Sequence, residues 1–283
     1  MKKVDIIILA GQSNAVGVGH VQYLPKHFSG EKVAEFMRGY EKVKINYFSH
    51  DKKSNGFVNT TVGCTEKTKD TVGPEIGIAE RITELYPDRA FFIVKCAFGG
   101  VSLYKDWCSP SKKELYNQDA YFDVEVHKGF PAQSSWCYNE MVKILKESIV
   151  WLENAGFEPR IKGWCWMQGE HDASSKETVL EYERNYHYLL TDLQREFSQY
   201  MAECAYVDAG ISSQWPFYKE LNEIKKLYAQ THDNCFYVDT IKAGLSTMHE
   251  PEDNPDVAHY DCGSIIELGR LFADNIFISI DAV

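Results

Sequence analysis

The apolar run Ile6-Ile7-Ile8-Leu9-Ala10 stops abruptly at Gly11-Gln12-Ser13-Asn14, and few folds accommodate that change. An apolar stretch of this length reads as a strand buried on both faces, as in the middle of a parallel sheet. Open α/β sheets carry their chemistry at the carboxyl ends of such strands, which makes Ser13 a candidate nucleophile. A Ser/Asn helix cap following a strand accounts for the same residues. The choice depends on what else the chain can bring to this turn.

Further strand signals recur along the chain. Apolar, β-branched or aromatic runs at 4–10, 43–48, 90–95, 161–167, 202–208 and 235–239 alternate with helical periodicity near 75–86, 136–155, 176–199, 217–230 and 264–277. That alternation predicts βαβ units and a mostly parallel sheet. Pro74 sits just inside a helix start, Gly156 follows a helix stop, and Ser264 with Glu267 forms a capping-box pattern. At 283 residues and 44% hydrophobic content the chain can bury a sizeable core, and no repeat or long linker divides it, so one domain over 1–283 is expected. The stretches 49–73 and 104–131 read as long loops, the second carrying Tyr104, Trp107, Tyr116, Tyr121 and Phe122.

A net charge of −11 surrounds the molecule with a negative field, which disfavours nucleic acid and anionic membrane surfaces as partners. The start Met1-Lys2-Lys3-Val4-Asp5 has no signal-peptide pattern, and no 18-residue apolar run suggests a membrane span. Eight cysteines lie without CxxC spacing, several inside strand-like runs. They read as reduced thiols of a cytoplasmic protein.

Three other segments carry candidate chemistry. In Asp256-Val257-Ala258-His259, three-residue spacing lets a carboxylate accept from the imidazole Nδ1–H, leaving Nε2 free as a base; a solvated acidic loop is the alternative. Trp164-Cys165-Trp166-Met167-Gln168-Gly169-Glu170-His171-Asp172 is another strand entering a glycine turn. There the Gln168 amide can donate to an oxyanion and Glu170 can order its surroundings. Metal binding by Glu170, His171 and Asp172 is disfavoured, because neighbouring strand residues point to opposite faces. In Ala97-Phe98-Gly99-Gly100-Val101-Ser102, the paired glycines let backbone N–H groups approach a ligand or simply form a tight turn.

Taken in order, Gly11-Gln12-Ser13-Asn14, Gly99-Gly100-Val101-Ser102-Leu103, Trp166-Met167-Gln168-Gly169-Glu170-His171-Asp172 and Asp256-Val257-Ala258-His259 resemble the blocks of one family. These are the carbohydrate acetylesterases of the SGNH hydrolase superfamily, in the branch of acetylxylan esterases of carbohydrate esterase family six and the sialate O-acetylesterase domain. Thr71-Val72-Gly73-Pro74-Glu75 also looks like a family segment, and the match spans residues 6 to about 270. The G-x-S-x-G elbow of α/β-hydrolases is missing, since position 15 is Ala. Gln168 stands where the wider superfamily has asparagine, as this branch does.

The resemblance implies an α/β fold, a three-layer α/β/α flavodoxin-like domain around a central, mostly parallel sheet. It further implies a serine hydrolase that removes O-acetyl groups from carbohydrates. Ser13 would be the nucleophile, His259 the base and Asp256 its orienting acid, with Glu170 supporting or replacing Asp256. The oxyanion hole would comprise the Ser13 N–H, the Gly100 N–H (or that of Gly99) and the Gln168 amide. No metal or cofactor is required. Tyr104, Trp107 and the other aromatics of the second loop are candidate sugar-stacking residues, with loop anchoring as the alternative. The acidic charge favours neutral acetylated xylan oligosaccharides over O-acetylated sialate as the substrate. A non-catalytic glycan-binding module on the same scaffold is a further alternative, and the oligomeric state is not legible.

Overall fold

The computed structural model describes residues 2–65, 70–115 and 135–278. Its strands are β1 (Lys2–Gly11), β2 (Gly19–His20), β3 (Tyr40–Ser49), β4 (Lys52–Lys53), β5 (Val58–Thr60), β6 (Thr71–Val72), β7 (Phe91–Ala97), β8 (Phe157–Met167), β9 (Ala205–Ala209) and β10 (Cys235–Val238). The α-helices are α1 (Ser13–Val16), α2 (Leu24–His27), α3 (Gly30–Arg38), α4 (Pro74–Leu85), α5 (Pro110–Leu115), α6 (Trp136–Asn154), α7 (Lys176–Leu180), α8 (Tyr182–Glu196), α9 (Tyr218–Thr231) and α10 (Cys262–Phe277).

The main sheet runs β10-β9-β8-β1-β7-β3-β4, with β5 also pairing to β3. Strands β3, β7, β1, β8, β9 and β10 are mutually parallel, whereas β4 and β5 run antiparallel to β3. From β1 the chain moves out to β3, returns to β7 on one side of β1, and then crosses to β8 on the other. The carboxyl end of β1 is therefore the point where the strand order reverses, and a crevice opens there in such sheets. Every residue of β1 from Val4 to Gly11 is buried, as the apolar run predicts.

Side-chain alternation along β8 shows the layers. A Cβ on Gly163 would lie 2.3 Å from Ile276 of α10, so α10 presses on that face. The next residue, Trp164, points to the opposite face and stacks on Trp166, whose Nε1 donates to Tyr182 of α8 at 3.1 Å. Helix α4 packs against α10 through glycines: a Cβ on Gly77 would sit 1.8 Å from the Ile266 carbonyl oxygen, and one on Gly269 would sit 2.0 Å from that of Pro74.

Most predicted elements form, with informative differences. The helical pattern over 176–199 divides at Glu181 into α7 and α8. The capping box expected at Ser264 is displaced, because the Asp261 carboxylate accepts from the Ser264 N–H at 2.7 Å and places the cap three residues earlier. The loop read over 49–73 contains β4, β5 and β6, and α5 lies in the one read over 104–131. Tyr116, Tyr121 and Phe122 lie outside the described residues. Helix α3 escapes the pattern because Phe36 is its one fully buried side chain. All eight cysteines are free, and among the described residues no helix is long and apolar enough to cross a membrane.

The α4–α10 contact predicts that Gly269→Val forces the two backbones apart. Urea unfolding should show a loss of about 2 kcal/mol or more, in the range of overpacked cores; an unchanged midpoint would contradict the packing described.

Candidate active site

Strand β1 ends in a position that requires glycine. Gly11 has φ 143°, and a Cβ there would lie 1.9 Å from the Met167 carbonyl oxygen of β8. The chain then turns, with the Gln12 N–H donating to that same oxygen at 2.9 Å, and Ser13 opens the one-turn helix α1. Ser13 is 9% exposed. Behind it, the buried Lys95 of β7 donates to the Val16 carbonyl at 2.7 Å, to the Cys64 carbonyl at 2.9 Å and to Glu75 at 2.8 Å. A buried ammonium thus holds the far end of α1, and Glu75, in the segment that resembles the family, is its counter-ion.

The next residue, Asn14, reaches two distant segments. Its Nδ2 donates to Glu170 Oε1 at 2.7 Å, and its Oδ1 accepts from the Tyr260 N–H at 3.0 Å. Tyr260 follows His259, so one hydrogen bond joins the neighbours of the candidate nucleophile and base. The His259 Nδ1 lies 2.7 Å from Asp256 Oδ2, the partner expected from their spacing. The loop is held further by Met248 N–H to the His259 carbonyl at 2.8 Å and by Asp261 N–H to the Ser246 carbonyl at 3.0 Å. Among the described residues no hydrogen bond yet links Ser13 Oγ to the His259 ring, as is common before substrate tightens such contacts.

Glu170 is fully buried behind Asn14; its Oε2 has no hydrogen-bond partner among the described residues, and burial pushes its carboxyl above the usual range. It contacts Asn14 rather than the imidazole, so the acid bonded to His259 is Asp256. Asp172, also fully buried, accepts from the N–H groups of Leu103 at 2.9 Å and Tyr104 at 3.1 Å, fixing the loop after Gly100 to the β8 turn. Gly100 has φ 69°, a left-handed conformation suited to glycine. A Cβ on Gly99 would lie 4.0 Å from Ser13 Cβ and 3.8 Å from His50 Nδ1. Among the described residues the N–H groups of Ser13, Gly99 and Gly100 reach no backbone acceptor.

Two expectations need correction. Gln168 is wholly buried, and its Nε2 faces three acceptors: Val101 O at 3.1 Å, Gln12 Oε1 at 3.2 Å and Asp172 at 2.5 Å. Its two hydrogens are engaged inside the protein, and its Oε1 accepts from Tyr182 at 3.1 Å. Trp107 is also fully buried, edge-on to Trp166 at 5.0 Å between centroids, so it is core and not a sugar platform. Tyr104 is half-buried beneath the Lys112 ammonium, 4.3 Å from its ring centre.

Other residues were not anticipated. His50 follows β3 in a left-handed conformation, φ 53°, beside Gly99. Lys225 of α9 is fully buried and donates to Asp208 at 2.7 Å, to the Ala209 carbonyl at 2.8 Å and to the Gln168 carbonyl at 2.5 Å, supporting the β8 turn from below. The available signals were Asp208, an acid closing the apolar end of the strand run 202–208, and a lone lysine in 90–95. Among the described residues no cluster of three His, Cys, Asp or Glu is arranged to hold a metal ion.

Comparison with known proteins agrees with the fold. A family model described as "Carbohydrate esterase, sialic acid-specific acetylesterase" matches residues 3–278. Among solved structures, a protein from Arabidopsis thaliana superposes with TM-score 0.65 at 19% identity, covering 98% of both chains. NanS superposes with TM-score 0.68 at 14% identity, covering 99% of this chain and 98% of its own. A carbohydrate acetylesterase from Xanthomonas citri gives TM-score 0.63 at 13% identity, covering 97% of this chain and 57% of that one. No curated protein matches the chain in sequence.

Asp208 yields a pH prediction. Burial raises its carboxyl to about 6, against Lys225 pulling it down, from an unfolded value of about 3.9. The folded state therefore holds a proton that the unfolded chain releases, so stability present below about pH 4 is lost as pH rises toward 6. Chemical denaturation across pH 4 to 7 should show wild type losing roughly 2–3 kcal/mol relative to Asp208→Asn; parallel curves would contradict the assignment. With the fold and the family match in agreement, the chain belongs to the carbohydrate esterase family of sialic acid-specific acetylesterases and is a carboxylic ester hydrolase acting on acetylated carbohydrate.

Proposed function

We propose that Ser13, His259 and Asp256 form the catalytic triad of a serine O-acetylesterase. The observation that carries the reading is the 3.0 Å bond from the Tyr260 N–H to Asn14, which fastens the His259 loop to the residue after Ser13. Ser13 Oγ attacks the acetyl carbonyl carbon while His259 Nε2 takes its proton, and Asp256 stabilises the resulting imidazolium. The tetrahedral oxyanion is met by the N–H groups of Ser13 and Gly100 or Gly99, which have no backbone acceptor among the described residues. Collapse breaks the bond to the sugar oxygen, which receives the proton from His259. Water, deprotonated by the same imidazole, then releases acetate from the acetyl-enzyme.

The substrate we favour is an acetylated neutral xylan oligosaccharide, because a net charge of −11 repels an anionic sugar. The family description supports a second reading, O-acetylated sialate. Acetate release from acetylated xylo-oligosaccharides and from O-acetylated sialic acid, measured side by side, separates the two.

Replacement of Ser13 by alanine should lower 4-nitrophenyl acetate turnover by about 10⁴-fold or more with the fold intact. Asp256→Asn should cost more turnover than Glu170→Gln. Retained turnover in Ser13→Ala, or the opposite order for the two acids, would reject the triad.

A further inference from the structure

We propose that Gln12 supplies the side-chain N–H that meets the oxyanion, with Gln168 acting as the brace that aims it. The inference rests on the serine-esterase reading above. Gln12 directly precedes Ser13 and is 2% exposed. Its Oε1 accepts from three N–H groups: the main chain of Gly169 at 3.2 Å, the main chain of His171 at 3.3 Å and Gln168 Nε2 at 3.2 Å. Main-chain N–H groups can only donate, so the oxygen end of this amide must face the β8 turn and its NH₂ end must face away. Among the described residues that NH₂ group has no acceptor, yet it is not among the unpartnered side-chain atoms sealed from solvent. It is an open donor on a side chain rooted one residue from Ser13.

The competing donor is engaged elsewhere. For Gln168 to reach a substrate it would have to leave Val101 O and the charge-assisted contact to Asp172 at 2.5 Å. Asp172 also fixes the N–H groups of Leu103 and Tyr104, so moving it would loosen the Gly99–Gly100 turn that bears the other candidate donors. Gln168 and the β8 turn instead saturate one end of the Gln12 amide, leaving the other end oriented before substrate arrives. A donor fixed in advance is what stabilises charge developing in a transition state.

The test is Gln12→Glu, which keeps an oxygen for the three N–H groups and replaces the NH₂ with a second oxygen. With 4-nitrophenyl acetate, kcat should fall by about 10²–10³-fold, with KM within about threefold of wild type. Affinity for methylboronic acid, which forms a tetrahedral anion on an active serine, should fall by a similar factor, while the thermal midpoint is kept. A kcat within about threefold of wild type, or a change confined to KM, overturns the proposal. Should the variant fail to fold, a crystal structure of wild-type enzyme phosphonylated on Ser13 decides. The phosphonyl oxygen should lie about 3 Å from Gln12 Nε2; contact with Gln168 instead, or with backbone N–H groups alone, overturns it. Turnover retained by Ser13→Ala in the same assay sinks the serine reading itself, and this inference with it.

Discussion

The Asn14 amide is the point at which three segments of the site meet. Its two ends bond residues 156 and 246 positions away in the chain, and neither target is in the same element as the other. Closing loops of that length is entropically unfavourable, so the contact exists because the parallel sheet has already brought the carboxyl ends of β1 and β8 together. The sheet sets the coarse position. The amide then fixes the loop bearing His259 relative to the turn bearing Ser13, a matter of a few tenths of an ångström that a strand register cannot control.

Beneath this surface lies a layer of buried charge. Lys95 with Glu75, and Lys225 with Asp208, sit under the two strand-ending turns and are 5% exposed or less. Such pairs add little net stability against well-packed apolar groups, while removing one partner costs about 3–5 kcal/mol. Their geometry explains why they stand here: each ammonium also holds backbone carbonyls, of Val16 and Cys64 in one case, of Gln168 and Ala209 in the other. Turns that break from a sheet leave carbonyls without ladder partners, and a buried lysine satisfies several at once. Burial of Glu170, Asp172 and Asp208 in the same layer raises all three carboxyls.

Much of the architecture was legible because its causes are local. The apolar run before Gly11 is a central strand, Pro74 opens a helix, and three-residue spacing does bring Asp256 to His259. What escaped reading is set by tertiary contact. Gln12 and Gln168 are both amides in strand-to-turn segments, and nothing in either segment says which presents its NH₂ outward; the acceptors around Gln168 come from Val101 and Asp172. Trp107 stands among aromatics in a polar stretch, and only its packing on Trp166 reveals it as core. His50 carried no sequence signal, since its backbone conformation and its place beside Gly99 depend on how β3 ends against β7.

The most direct measurement of the clamp is the kinetics of Asn14→Leu, a change of similar size that removes both of its ends. If the amide is what registers the two turns, kcat/KM for 4-nitrophenyl acetate falls by about 10²-fold, as expected for misplacement of aligned groups by about an ångström, while the far-ultraviolet circular dichroism stays that of wild type. A value within about threefold of wild type would show that the site holds its geometry without Asn14 and would contradict the clamp.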